Sequence, residues 1–241
     1  MSELASGHST CGNVLGEPQR GEHATGRVEA VCVSGADLLP LPGRRPNRSG
    51  IDKHPVAGRV VVGELGLDGD VQVNTRHHGG EGQAVYAYAQ EDADWWAAEL
   101  DRDLPPGRFG ENLRTSGVDL TGAVLGERWQ VGTALLQVTA WRTPCANFAR
   151  FWDIPDLVKR FAAHGATGAY LRVLETGEIG AGDAIEVVSR PDHGITVQSA
   201  FRITMTEKSR LPELTPAVQF LPVKDQAKLI AKIEKRFAAR S

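Results

Sequence analysis

The sequence predicts a mixed, β-rich fold: a barrel or strongly curved mixed sheet with flanking helices and a small helical segment at the C-terminus. Three observations carry this expectation. Short runs of β-branched and apolar residues recur between residues 27 and 190, with Gly, Pro and Asp punctuating them. These runs do not alternate regularly with helical patterns, as βαβ units would. Near Pro191 the pattern becomes helical and stays so to the end. With 241 residues and 41% apolar content, the chain has enough material for one large core.

In chain order, residues 1–26 hold few large apolar side chains and frequent Gly, Ser, Glu and His, too little buried surface to offset the entropy of ordering. A flexible leader is expected there. Strands are expected at residues 27–33, 58–64, 69–73, 128–131, 134–141 and 184–188. A helix is expected over residues 84–100, because Val85, Tyr88, Ala89, Trp95, Trp96 and Leu100 fall near a 3.6-residue period, and Pro105 and Pro106 forbid its continuation. A second helix is expected over residues 154–164, with Pro155 in its first turn and Gly165 at its end. Residues 27–190 make one β-rich domain, and residues 191–241 a helical segment containing 211–220 and 225–239. In the latter, Leu229, Ile230, Ile233 and Phe237 share one side. Lys224, Lys228, Lys232, Lys235 and Arg236 read as a solvated face in preference to a contact for an acidic partner. There is no internal repeat.

A net charge of -3 gives no overall electrostatic reason to expect nucleic acid or an anionic membrane as partner. No apolar run approaches the ~20 residues of a membrane helix, and the N-terminus lacks the basic start and apolar stretch of a secretion signal. A cytoplasmic protein is expected. The three cysteines, Cys11, Cys32 and Cys145, form neither a disulfide framework nor a CxxC zinc pattern, so reduced thiols are expected. Cys11 lies with His8 and His23 in the polar leader and receives no role. Cys32 sits in an apolar run and reads as core.

Three segments carry chemistry. Arg76, His77, His78, Gly79 and Gly80 combine titratable rings with glycines that allow close backbone approach to a ligand. The expected helix from residue 84 would put this loop near a helix N-terminus, where exposed N–H groups favour an anion. Phe109, Gly110, Glu111, Asn112 and Leu113 hold an acid and an amide between two apolar anchors. The amide and acid suit ligand orientation, and the competing reading is a loop in which they satisfy backbone groups. Arg142, Thr143, Pro144 and Cys145 form the sharpest segment: proline fixes φ just before a thiol, and arginine supplies a permanent charge that favours thiolate. Cys145 suits a nucleophile or a soft-metal ligand; an inert buried thiol is the alternative. Lys53 is a phosphate contact only if its segment folds over the site, and Trp141 and Phe148 would screen the site or belong to the core.

Taken together and in order, these segments resemble the MOSC family, the domain named for the C-terminal part of molybdenum cofactor sulfurases. The resemblance runs from about residue 27 to 190 through Ser49-Gly-Ile-Asp-Lys53-His-Pro-Val, Gly66-Leu-Asp-Gly-Asp70-Val-Gln72, His78-Gly-Gly80, Ala84-Val-Tyr-Ala-Tyr88, Gly107-Arg-Phe-Gly-Glu-Asn112-Leu and Arg142-Thr-Pro-Cys145. It is closest to stand-alone bacterial MOSC proteins with a small three-helix C-terminal segment, a group that includes reductases of N-hydroxylated purine bases. It implies a β-barrel-like fold and a pyranopterin molybdenum cofactor whose metal is bound by Cys145. Lys53, Arg76, His78, Gly79, Gly80, Glu111, Asn112, Arg142 and Thr143 are then candidates to contact the cofactor, with His78 and Asn112 orienting cofactor or substrate and relaying protons. Asn74 departs from the aspartate often found before the His-Gly-Gly loop. The chain has no room for a pyridoxal-phosphate desulfurase domain, so pyridoxal phosphate is not expected. The implied activity is reduction of N-hydroxylated substrates, with a separate reductase supplying electrons because no flavin, haem or iron–sulfur motif is present. The alternative is a carrier in which Cys145 accepts sulfur as a persulfide from a cysteine desulfurase, or holds the cofactor for delivery.

Overall fold

A computed structural model describes residues 25–36, 38–40, 48–73 and 79–238. Its strands, in chain order, are β1 (Thr25–Val33), β2 (Leu39–Pro40), β3 (Arg48–Ser49), β4 (His54–Pro55), β5 (Arg59–Gly63), β6 (Gly66–Leu67), β7 (Val85–Ala89), β8 (Leu113–Ser116), β9 (Arg128–Val131), β10 (Ala134–Trp141), β11 (Ala169–Glu175), β12 (Gly177–Gly180) and β13 (Ala184–Ser189). The helices are α1 (Gln90–Leu100), α2 (Ala146–Trp152), α3 (Leu157–His164), α4 (Val197–Met205) and α5 (Val223–Ala238), with a 3-10 turn at Glu81–Gln83 and a long 3-10 run at Lys208–Phe220.

Seven strands run in the order β13, β9, β10, β11, β7, β8, β1, and the pairing of β1 with β13 closes the ring. The fold is the expected β-barrel with helices around it. Neighbours are antiparallel except β7 and β8, which run parallel with Ala87 opposite Leu113 and Tyr88 opposite Arg114. Register shifts in β1 at Val28/Ala30 and in β10 at Leu135/Leu136 and Val138/Ala140 add the local twist that closure of a small barrel needs. The interior is apolar, with Val28, Trp129, Val131, Leu136, Val138, Leu171 and Ile185 buried. A second cluster, rich in aromatics, joins the outer wall to α1, α2 and α3 through Tyr86, Tyr88, Trp96, Phe109, Phe148, Trp152 and Phe161.

Four local expectations need correction. Residues 84–89 are not the start of a helix: β7 fills them, and the helix begins at Gln90. The reason is burial on both faces. Val85, Ala87 and Ala89 belong to the barrel core while Tyr86 and Tyr88 belong to the aromatic cluster, so the strand has no polar face to reveal its two-residue period. Residues 69–73 are not a strand either. β5 pairs with β6 and β12 instead, Gly69 turns with φ +79°, and Asp70 and Val71 enter side-chain bonds with the Ser34 backbone and hydroxyl. The helix expected from residue 154 begins at Leu157, after Asp156 in left-handed conformation, which leaves Pro155 in the connection. One helix was not foreseen, α2, immediately after Cys145; α4 falls in the helical segment expected after residue 190 and is capped by Thr196 accepting from Ser199 N at 3.1 Å.

The C-terminal elements pack on the barrel. Val197, Ala200, Ile203, Leu211, Leu214, Leu221, Leu229 and Ile233 lie in the same apolar cluster as the strands. Among the described residues no helix is long and apolar enough to cross a membrane.

Candidate functional site

Cys145 follows the end of β10 and stands at the N-cap of α2, its carbonyl accepting from Ala149 N at 3.1 Å. The thiol is half-buried against the aromatic cluster. It lines a cavity with Arg142, Lys53, Asp70, Gln72, Gly79, Gln83, Tyr86, Gly110, Asn112, Asn147 and Tyr170. Residues distant in sequence thus meet around one thiol.

Arg142 is 6% exposed and fixed from three sides. Its Nη1 donates to Phe109 O at 2.5 Å, and its guanidinium lies 4.9 Å from the Tyr86 ring and 5.0 Å from the Phe148 ring. Burial alone would weaken its charge, but Tyr86, Tyr170 and Cys145 more than offset this and hold it above the ordinary arginine value. Its Nε is buried and has no hydrogen-bond partner among the described residues. A permanent cation beside a cysteine favours thiolate, and an orphaned N–H in the cavity wall is a donor waiting for an acceptor.

Lys53 reaches the site because its segment does fold over it. The Lys53 side chain is 8% exposed, and its Nζ pairs with Asp70 Oδ1. Burial raises the Asp70 carboxyl, yet Lys53, Asn112 and the Ser34 amide outweigh it and keep Asp70 below its usual value. Lys53 is itself pushed downward by burial, against the pull of Asp70. Asn112 welds this pair to the barrel. Its Nδ2 donates to Asp70 Oδ2 at 2.9 Å and to Cys32 O at 3.3 Å, and its Oδ1 accepts from Tyr86 N at 3.1 Å. The side chain therefore orients the cavity wall by bridging β1, β7 and the Asp70 loop. The Cys32 thiol in that wall is pushed up to about 12 by burial, so it stays protonated core.

The expected site residues divide by position. Cys145, Arg142, Asn112, Lys53 and Gly79 line the cavity. Glu111 does not: fully buried, it accepts from Gly107 N at 2.8 Å and Phe109 N at 2.9 Å and pairs with Arg114, which knots the 107–112 loop. Gly80 borders a groove beyond Gly79, and Thr143 faces a separate cavity between the barrel and α5. Arg76, His77, His78 and Asn74 lie outside the described residues. The 79–80 loop enters a three-residue 3-10 turn and then β7, so the expected α-helix N-terminus is not there. Trp141 borders the cavity near α5, whereas Phe148 sits under Arg142 in the aromatic cluster.

Sequence reasoning missed Asp70, Gln72, Gln83, Tyr86 and Tyr170 as site residues. Asp70 and Gln72 sit in a motif already singled out; the charge of Lys53 in need of a buried partner was the available signal. Tyr86 and Tyr170 meet only because β7 and β11 pair with those two residues in register, which no local pattern announces.

The sequence profile of the MOSC domain matches residues 74–186. Two curated relatives share more of the chain. YflK of Bacillus subtilis is 34% identical over 68% of this chain and 74% of its own length, and YiiM of Escherichia coli is 35% identical over 72% and 77%. The chain belongs to the MOSC family. The crystal structure of YiiM from Geobacillus stearothermophilus superposes with a TM-score of 0.71 at 27% identity, covering 86% of this chain and 98% of that one. A third relative, a protein of Gibberella moniliformis named "Reductase", is 32% identical over 80% of this chain, which spans only 35% of that protein.

MOSC domains are associated with the molybdenum cofactor, and this MOSC cavity fits such a group by its donors. Among the described residues no cluster of three or more His, Cys, Asp or Glu side chains is arranged to hold a metal. Among the described residues that line the cavity, the one sulfur is Cys145, which suits a metal that arrives with its other ligands. The Arg142 Nε, and the cations Arg48, Lys53 and Arg142 against Asp70, the one acid among the described lining residues, suit an anionic, acceptor-rich organic partner. Gly79, with φ +119°, brings backbone to the cavity edge, where a Cβ would collide with Gln72 Oε1.

Proposed function

We propose that this MOSC protein binds a pyranopterin molybdenum cofactor through Cys145 and reduces N-hydroxylated compounds, with electrons from a separate reductase. The observation that carries the reading is the single cavity in which a soft thiol, a buried arginine with an unpaired N–H and the Lys53–Asp70–Asn112 assembly converge. The relative named "Reductase", of which this chain spans 35%, supports a redox reading.

When bound, the cofactor supplies the two-electron chemistry that cleaves an N–O bond, the oxygen leaving as water. Cys145 would supply the sulfur ligand, with the buried Arg142 cation beside it to balance a thiolate's charge. Arg142 and Lys53 are the cations that would hold an anionic cofactor in this cavity. Asn112 holds Lys53's partner Asp70 and the Tyr86 strand at fixed spacing, so the cationic wall does not collapse inward. Tyr86 and Tyr170, both buried, form an apolar side that excludes water from the reacting bond. His78, the residue before Gly79 in the sequence, is the proposed proton relay.

The test is metal and pterin content after expression in a host that makes the cofactor, for wild type and Cys145→Ser. We expect near-stoichiometric molybdenum and pterin in wild type and at least a tenfold loss of metal from the folded variant. Equal metal in both would refute the ligand assignment. Molybdenum absent from wild type, with labile sulfur on Cys145, would make the protein a sulfur carrier instead.

A further inference from the structure

Lys224, one of the basic residues that the sequence assigns to a solvated helix face, turns inward. It is half-buried in the first turn of α5, and its Nζ donates to Gly79 O at 3.1 Å and to Gln83 Oε1 at 2.8 Å. Gln83 Oε1 also accepts from Gly79 N at 3.3 Å, and Gly80 N donates to Gln72 Oε1 at 3.2 Å. Gly79, Gln83 and Gln72 all line the Cys145 cavity. One ammonium group from the C-terminal segment therefore closes a small network around the backbone of the site's glycine edge.

The neighbouring contacts make this a clamp. The Glu81–Gln83 turn is gripped from the barrel side by Thr139 Oγ1, which donates to Gly82 O at 2.7 Å. It is gripped from the other side by Pro222, so close that a Cβ on Gly82 would lie 2.7 Å from the proline ring. Arg172 fixes the approach of that proline by donating from Nη2 to Phe220 O at 2.5 Å and Leu221 O at 3.1 Å. Pro222 and Lys224 thus meet the loop as a rigid pair. Gln83 Oε1 is the shared acceptor: without Lys224 it retains only the long bond from Gly79 N, and Gly79 O loses its Nζ donor. Burial pushes the Lys224 ammonium below its usual value, and Lys228 adds to this, while the two acceptors and nearby Asp225 pull the other way.

We infer that Lys224 is a positioning residue of the ligand site, so that the C-terminal helical segment completes the cavity by fixing the Gly79–Gln83 edge. The inference rests on the cofactor reading for its consequence, and on the hydrogen bonds alone for the clamp. Lys224 does not touch the reacting atoms.

The experiment compares wild type, Lys224→Met and Lys224→Arg in the full chain by hydrogen–deuterium exchange, thermal melting and molybdenum content. In Lys224→Met we expect exchange of the 79–83 amides to rise at least tenfold, with β10 and β11 unchanged and the melting midpoint shifted by no more than about 3 °C. Molybdenum retained through dialysis should fall at least fivefold, and Lys224→Arg should restore both readouts in large part. Unchanged exchange at 79–83 would overturn the clamp. Increased exchange throughout the barrel would overturn it as well, by showing a merely structural lysine. Raised local exchange with unchanged molybdenum retention would overturn the positioning role. If wild type itself holds no molybdenum, the cofactor reading fails, and the exchange comparison still decides whether Lys224 orders the glycine edge.

Discussion

Asp92 illustrates a residue at odds with its surroundings. It sits in the first turn of α1, where a negative charge favours the helix dipole, yet burial, with Glu91 and Asp119 nearby, raises its carboxyl from 3.8 to about 6. The folded chain therefore binds this proton more tightly than the unfolded chain. Stability contributed by Asp92 falls as pH rises from about 3.8 to 6, and the penalty is complete above that window. Asp92→Asn should stabilise the fold by about 1–2 kcal/mol at pH 7.5 and by little at pH 4. Chemical denaturation at the two pH values checks this; a gain of equal size at both would exclude titration as its cause. Asn112 teaches a different residue-scale lesson. Its position in the 109–113 run marks it as a ligand-orienting amide, and it does line the cavity, but each polar atom of its side chain is engaged by the protein. Residue type and spacing announce that such an amide matters; only the meeting of β1, β7 and Asp70 shows that it ties these three together.

At the scale of elements, the 107–112 loop owes its shape to one buried ion pair. Glu111 accepts two loop amides, and Arg114, on β8, bonds Glu111 through Nε at 2.8 Å and also reaches Leu104 O at 3.4 Å and Pro105 O at 3.2 Å. Gly107 is pressed so closely on the Lys53 carbonyl that no Cβ fits. The knot therefore sets the height of Lys53 and, through Phe109 O, the placement of Arg142. Arg114→Met keeps the volume but strands a buried carboxylate, so we expect a loss of about 3–5 kcal/mol. Urea midpoints would measure it. Glu111→Gln combined with Arg114→Met removes the stranded charge and should recover more than half of the loss; no recovery would place the cost in packing. Strand β7 and the loop at residues 69–73 mark where local pattern misleads. Both are decided by what covers the backbone, namely a second aromatic layer over Tyr86 and Tyr88 in one case, and the Ser34 side chain in the other. By contrast, β9 and β10 read correctly because a tight turn at Gly132, with φ +56°, separates two short apolar runs that pair directly.

For the whole molecule, the barrel was legible as a class and the ring closure was not. Runs of β-branched residues reveal strands, but the pairing of β1 with β13 joins Gly26 to Ile185, and no local signal spans that distance. The same limit hid how the C-terminal segment attaches. Its apolar stripe is visible in the sequence, while the surface it covers is assembled from strands far earlier in the chain. Ala200 and Ala217 are 0% and 1% exposed, and Leu214, Ile203 and Leu229 join them in one continuous core with Val138 and Leu171. A segment that shares a core with the barrel, rather than presenting an interface of its own, should unfold with it. Differential scanning calorimetry of the full chain should therefore show one transition with calorimetric and van't Hoff enthalpies in agreement. A chain ending at Arg190 would leave this apolar face bare; it should aggregate, or bind a hydrophobic dye strongly and melt without a cooperative transition. Two resolved transitions in the full chain, or a truncated chain that melts cooperatively near the wild-type midpoint, would show instead that the barrel is stable alone.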